Sequence, residues 1–224
     1  MVFRNMYFLL HPITFLNHSM ARLMTDQLTF LFSIIFFIFL ALNYKSLFWR
    51  NLDDSVSHWA QESKGNFVKS RSGDFAFFGN AIFHILFSII LMILFFIAKH
   101  KTSIVLAILF TLIFSWALNR IMKLVFKRTR PEHMASNIRR RMSYCFPSGH
   151  VMASISIYFF SAVILQSLIP FIPWYIVAMI ISFFVVMSRI YLNHHFFTDV
   201  LAGITMGIFC LNLSIWFYFF MGLV

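Results

Sequence analysis

From Val151 to Ser188 the chain carries no Asp, Glu, Lys or Arg across 38 consecutive residues. A soluble domain, about a quarter charged, does not leave so long a stretch without ionic groups. A bilayer does, and asks for about 20 apolar residues per helical crossing. Thirty-eight residues exceed one crossing. Pro170 and Pro173 near the middle mark a turn, because proline lacks the N–H that a helix interior uses. The stretch therefore predicts two spans, 148–168 and 174–189. Similar charge-free runs at Gln27–Tyr44, Phe75–Ala98, Thr102–Asn119 and Val200–Val224 predict four more, the third continuing past Arg120 to Lys123. The expected fold is all-α, an integral membrane bundle of six transmembrane helices with its polar site at one membrane face.

The composition agrees. Hydrophobic residues make up 61% and charged residues 11% of the 224, with mean hydropathy +0.84, which excludes a soluble domain and a disordered chain. The few charges are lopsided: 18 Lys and Arg against 7 Asp and Glu give +11. A basic chain of this size is often a nucleic-acid binder, but one this apolar points to lipid, and no nucleic-acid partner is expected. Residues 1–26, with Arg4, Arg22 and a short apolar piece broken by Pro12, read as an N-terminal interfacial segment rather than a cleavable signal peptide. Residues 27–224 then form one membrane domain. Cys145, in a polar loop, and Cys210, deep in an apolar run, are expected at different depths and unpaired.

Six spans collect the loops 45–74, 120–147 and 189–199 on one side. Three segments there carry chemistry. In the first, Lys123 and Arg130 lie seven apart, two turns and about 10.5 Å along one face if helical, with Pro131 marking where the helix gives way. In the second, Pro147-Ser148-Gly149-His150 precedes a span. Ser148 suits an N-cap, Gly149 lets a ligand approach the backbone, and the free N–H groups of a helix start suit phosphate. In the third, Ser188-Arg189 is followed by His195 and Asp199, four apart and expected to be neighbours on one helix face, where the carboxylate would orient the imidazole. Cations and donors around a histidine nucleophile are what metal-free phosphoryl transfer requires: charge neutralised on the phosphoryl oxygens, one group to attack, another to protonate the leaving oxygen. No carboxylate pair or Cys/His cluster suggests a metal, and no cofactor is expected.

Lys123-x6-Arg130-Pro131, Pro147-Ser148-Gly149-His150 and Ser188-Arg189-x5-His195-x3-Asp199 resemble, in order and spacing, the three signature motifs of the type 2 phosphatidic acid phosphatase family, whose core is shared with the vanadium haloperoxidases. The resemblance implies that His195 is a nucleophile forming a phosphohistidine. It implies that Asp199 holds its tautomer and stabilises its charge, and that His150 is the general acid. Lys123, Arg130, Ser148, the Gly149 N–H and Arg189 would bind the phosphoryl oxygens. The implied activity is a membrane-embedded phosphatase on an anionic lipid: undecaprenyl pyrophosphate as the bacterial default, with phosphatidylglycerol phosphate, phosphatidic acid and lipid A as competitors. A lipid-to-lipid phosphotransferase and a non-catalytic lipid-binding or transport protein are the alternatives.

Other polar residues read more plainly. His84, near mid-span, is expected to make a helix–helix hydrogen bond, with catalysis as the alternative, and His194 to lie on the site rim, with substrate contact as the alternative. Gly203-x3-Gly207 is expected to serve intramolecular packing, and Arg139–Arg141 to form a solvated basic run, with a clamp for additional phosphates on an anionic lipid as the alternative. Trp49, Trp174 and Tyr175 read as interfacial belt residues. Arg4, Arg22, Lys99 and Lys101 fall on the far side, and the other 14 of the 18 basic residues on the site side. A plain positive-inside count would put the site in the cytoplasm. The resemblance implies the opposite, a bacterial inner-membrane protein with its site on the periplasmic or outer side.

Overall fold

The structure, a computed structural model, describes residues 27–63, 70–98, 102–130 and 144–223. Among them are eight helices: α1 Gln27–Asn43, α2 Leu47–Glu62, α3 Ser72–Phe78, α4 Ala81–Ile97, α5 Thr102–Phe126, α6 Gly149–Leu168, α7 Trp174–Tyr191 and α8 Phe197–Leu223. No strand occurs among the described residues. The interfacial segment 1–26, Lys99–Lys101 and Arg139–Arg141 lie outside them.

Four helices, α5 to α8, are each long and apolar enough to cross a bilayer, and two bent pairs bring the number of spans to as many as six. In the first pair α2 leaves α1 at 94°. Its sequence LFWRNLDDSVSHWAQE mixes apolar with polar and ionic residues, whereas α1 carries no ionic residue. In the second pair α3 meets α4 at 45°, so the run expected as one span from Phe75 to Ala98 is broken. The break has two local causes. The Asn80 side chain accepts from Ile82 N at 3.3 Å and starts α4 afresh. A Cβ on Gly79 would stand 2.7 Å from Val185 and 3.2 Å from the His150 ring, so the chain turns where α3 presses against α7 and the site.

The centre of the bundle is α6, packed against α8, α7, α5 and α4, and α8 is buried to a similar extent. One core cluster joins α4, α5, α6 and α8 through Phe95, Ile108, Phe160 and Ile215; a second, nearer the site, joins α1, α6 and α8 through Leu40, Phe146, Met152 and Cys210. The outer surface is as apolar as the core, with Leu28, Phe32, Ile35, Ile93, Phe96 and Trp116 exposed. In water such a surface would drive aggregation; against acyl chains it is the solvated side.

Gly203 and Gly207 serve intramolecular packing as expected. A Cβ on Gly203 would come 2.8 Å from the Ser148 carbonyl oxygen, and one on Gly207 2.7 Å from Ile155. Because the obstacle at Gly203 is backbone, it cannot swing away. Gly203→Ala is expected to push α8 off α6 and cost about 1–3 kcal/mol, read as a lowered Tm in detergent with a larger fractional loss of turnover.

Candidate active site

The site is built at three helix ends. The first is the end of α7, where Asn193 takes φ 51, the left-handed region that Asn tolerates. The Asn193 N–H donates to Ile190 O at 2.9 Å and the His194 N–H to Arg189 O at 3.1 Å, a Schellman closure. This turn folds His194 and His195 back towards Arg189. The helix α8 begins only at Phe197, so His195 precedes it, and the expectation of His195 and Asp199 on one helix face is corrected. They meet because Asp199, in the first turn of α8, reaches back: its Oδ2 accepts the Phe196 N–H at 3.0 Å, half of a capping box. The same Oδ2 stands 3.5 Å from His195 Nδ1, long for a hydrogen bond.

The second end is that of α5. The expectation that Lys123 and Arg130 share a helical face is also corrected, because α5 stops at Phe126 and Lys127 takes φ 48. From there the chain runs irregularly, pinned where the Cys145 N–H donates to Arg128 O at 2.9 Å and Cys145 Sγ to Thr129 O at 3.0 Å. Cys145 lies in this loop, as expected, but is buried there, and both cysteines are free. Ending the helix early lets Arg130 reach across: its Nη1 donates to His194 O at 2.7 Å and lies 3.4 Å from His195 Nε2.

The third is the start of α6. Ser148 occupies the N-cap, but its hydroxyl makes no capping hydrogen bond and is buried without a partner among the described residues. Its N–H donates to Asp199 O at 2.9 Å, tying this segment to α8. The Gly149 Cα faces Asn119, whose Oδ1 would be 2.6 Å from a Cβ there. Lys123 and His150, with Gly149, line the mouth of a cavity of about 460 Å³ that continues between α4, α5 and α6.

The structure thus brings all eight expected residues together. His195 is buried, and its burial together with the charges of Arg130, Lys123 and Arg189 holds its imidazole well below the ordinary histidine range. At neutral pH it is uncharged, with Nδ1 towards Asp199 and Nε2 towards the cations. The Arg189 Nε donates to Ser188 Oγ at 3.1 Å, which fixes its guanidinium beside the two histidines.

Three further residues escaped the sequence analysis. Arg128, from the loop after α5, donates to Asp199 Oδ1 and to Asp53 Oδ2, both at 2.8 Å, and to Thr198 Oγ1 at 2.6 Å. Its guanidinium is sandwiched between Tyr44 at 4.8 Å and Phe196 at 4.2 Å. Asp53, from α2, accepts the Thr198 N–H at 2.8 Å and the Thr198 hydroxyl at 2.7 Å, satisfying a free donor at the start of α8. Asp199 is therefore held from two sides, by its own helix start and by a cation that α2 locks in place. A signal did exist in the sequence: a carboxylate on an otherwise amphipathic helix beside the motifs. Nothing local linked it to Arg128, which lies 75 residues away.

An integral membrane bundle with a cationic, histidine-bearing pocket at one helix-end layer offers the charge and donors that a phosphoryl group requires. The family model described as "PAP2 superfamily" matches residues 104–222, more than half of the chain, and the chain belongs to this superfamily. It is 36% identical to "Phosphatidylglycerophosphatase B" of Bacillus subtilis (strain 168) over 96 residues, 41% of this chain and 46% of that protein. The match thus spans just under half the length of that curated relative. Its fold is similar to that in the "Crystal structure of the first transmembrane PAP2 type phosphatidylglycerolphosphate phosphatase from Bacillus subtilis". There the TM-score is 0.74 at 26% identity, covering 83% of this chain and 94% of that one.

Proposed function

We propose that the chain is a metal-independent lipid phosphatase that removes the terminal phosphate of an anionic glycerophospholipid through a phosphohistidine. Phosphatidylglycerophosphate heads the candidates, ahead of undecaprenyl pyrophosphate, because both relatives are phosphatidylglycerophosphate phosphatases by name. The observation that carries the reading is the pairing of a buried, uncharged His195 with cations and with a Ser148 hydroxyl that has no partner among the described residues, beside Lys123, Gly149 and His150, which line an apolar cavity.

In this reading Arg130, Lys123, Arg189, the Ser148 hydroxyl and the Gly149 N–H hold the phosphoryl oxygens. His195 Nε2 attacks phosphorus while Asp199 steadies the Nδ1 side. The P–O bond to the lipid breaks, and His150, at the cavity mouth, gives the leaving alkoxide its proton. Water then attacks the phosphohistidine, returning a proton to His150 and inorganic phosphate to solution. The cations neutralise the negative charge on the phosphoryl oxygens, the task a metal would otherwise perform. Lipid tails occupy the apolar cavity and the outer helix faces, so the substrate reaches the site without leaving the membrane.

The test is phosphate release by purified protein in detergent with a chelator, over phosphatidylglycerophosphate, phosphatidic acid, undecaprenyl pyrophosphate and lipid A. Release is expected with chelator present, fastest on phosphatidylglycerophosphate. Folded protein that releases none from any of the four would overturn the reading, and labelled phosphate found on a second lipid would replace it with phosphotransfer. We place the site face outside the cytoplasm of a bacterial inner membrane. A reporter fused after Val224 is then cytoplasmic; one found outside reverses the orientation.

A further inference from the structure

The cavity behind Lys123 and His150 is lined mostly by apolar side chains of α4, α5 and α6. A buried histidine, His84 of α4, also lines it, and its surroundings are unusual. His84 is 1% exposed, with Nε2 3.4 Å from the Ser154 hydroxyl, the helix–helix contact expected for it. Nδ1 has no hydrogen-bond partner among the described residues. Ser88, one turn further along α4, is likewise buried with no hydroxyl partner among the described residues, and three other nearby polar groups have partners of their own. Tyr158, whose ring packs 5.2 Å from the imidazole, gives its hydroxyl to Phe78 O. The Ser115 hydroxyl accepts from Ser156 at 3.1 Å, and the Asn119 amide donates to Pro147 O and Met152 Sδ. A buried donor without a partner destabilises the fold, and an apolar side chain would avoid that cost.

Depth says what such a group would meet. Ser154 stands one turn beyond His150 on α6, so His84 lies about 6 Å further into the membrane than the proton donor at the cavity mouth. With the Ser154 hydroxyl donating to Nε2, Nδ1 carries the proton and can donate. Resting on the lipid phosphatase reading above, we infer that His84 is a specificity-determining residue: its Nδ1–H donates to an acceptor oxygen in the backbone of a glycerophospholipid. That oxygen is an ester carbonyl in phosphatidic acid and an ester carbonyl or the phosphodiester in phosphatidylglycerophosphate. In undecaprenyl pyrophosphate the second phosphate sits next to the scissile bond, at the level of His150, and beyond it the chain is only hydrocarbon, which leaves the imidazole unpartnered, so His84 discriminates against it.

Kinetics of His84→Phe and His84→Asn test this. Both are compared with wild type on phosphatidylglycerophosphate, diester and diether phosphatidic acid, and undecaprenyl pyrophosphate. The phenylalanine variant is expected to lose about tenfold in kcat/KM on the glycerophospholipids with acceptor oxygens, mostly through KM, and nothing on the polyprenyl substrate. Asparagine, which keeps a donor near the same place, should restore part of the loss. Insensitivity of the diether lipid alone assigns the carbonyl. Insensitivity of both phosphatidic acids, with loss on phosphatidylglycerophosphate, assigns the phosphodiester. Equal losses on all four, or none on any, overturn the inference and leave the phosphatase reading standing. So does a wild-type protein with a higher kcat/KM for undecaprenyl pyrophosphate than for every glycerophospholipid, which decides the matter even if the variants do not fold. No release by wild type from any lipid is instead the failure of the phosphatase reading itself.

Discussion

Replacing His195 by alanine is expected to lower phosphate release by about 10⁴-fold or more, a loss of roughly 5 kcal/mol in transition-state stabilisation. The size follows from the role. Without the imidazole no covalent intermediate forms, and the surrounding cations have no attacking group to assist. The fold should survive, because the imidazole holds its polar neighbours only at long range: 3.5 Å to Asp199 and 3.4 Å to Arg130. Asp199 keeps its Arg128 partner and its bond to the Phe196 N–H. Two measurements check this together: turnover on phosphatidylglycerophosphate, and Tm in the same detergent. Acid-labile labelled phosphate should appear on the wild-type protein after a rapid quench and be missing from the variant. Turnover retained within tenfold would remove His195 as the nucleophile.

The electrostatics of the site make this histidine suitable. Its folded pKa lies below the ordinary value of about 6.5, so it is already uncharged at pH 7 and needs no base to release a proton before it attacks. Burial is the larger cause, and the three cations add to it. The groups that would bind phosphate therefore also keep the attacking nitrogen free of a proton.

Arg128→Met should have the largest effect on stability. Arg128 is the cation shared by two buried carboxylates, Asp53 and Asp199, whose side chains are at most 2% exposed. Taking it away leaves both carboxylates with only neutral donors, and breaking a buried pair of this kind costs about 3–5 kcal/mol. For a chain of this length that is a fall in Tm on the order of 10 °C. Activity should fall further than stability explains, because Asp199 loses one of the two holds that aim it at His195. Adding Asp53→Asn to Arg128→Met should recover part of the Tm, since one uncompensated charge disappears, but little of the turnover. A Tm within 2 °C of wild type for Arg128→Met would show that the carboxylates are not held as described.

The Arg128 cluster also shows how far the sequence could be read. Charge-free runs of about 20 residues dictate membrane helices whatever the neighbours do, because lipid solvates no ionic group there. The bundle and most of its helices were therefore legible. The eight candidate site residues were legible too, since each of the three motifs is short enough for its spacing to be read along the chain. The ways in which they meet were not. Lys123 and Arg130 look like two turns of one helix, yet α5 unwinds at Lys127 and the loop carries Arg130 to His195. Ser148 looks like a capping residue, yet its hydroxyl is left to the site.

By itself, then, the sequence determined that this is a membrane-embedded helical protein with phosphoryl chemistry concentrated on one face. Apolar runs and short motifs are local properties, and local properties survive without knowledge of the fold. The tertiary structure alone decided that Asp53 of α2 locks Arg128 against Asp199, that Gly79 makes room for His150, and that His84 lines the cavity with one nitrogen unpartnered among the described residues. Those are contacts between residues scores of positions apart. Each is chosen by the packing of helices that hydropathy can place in a bilayer but cannot orient within it.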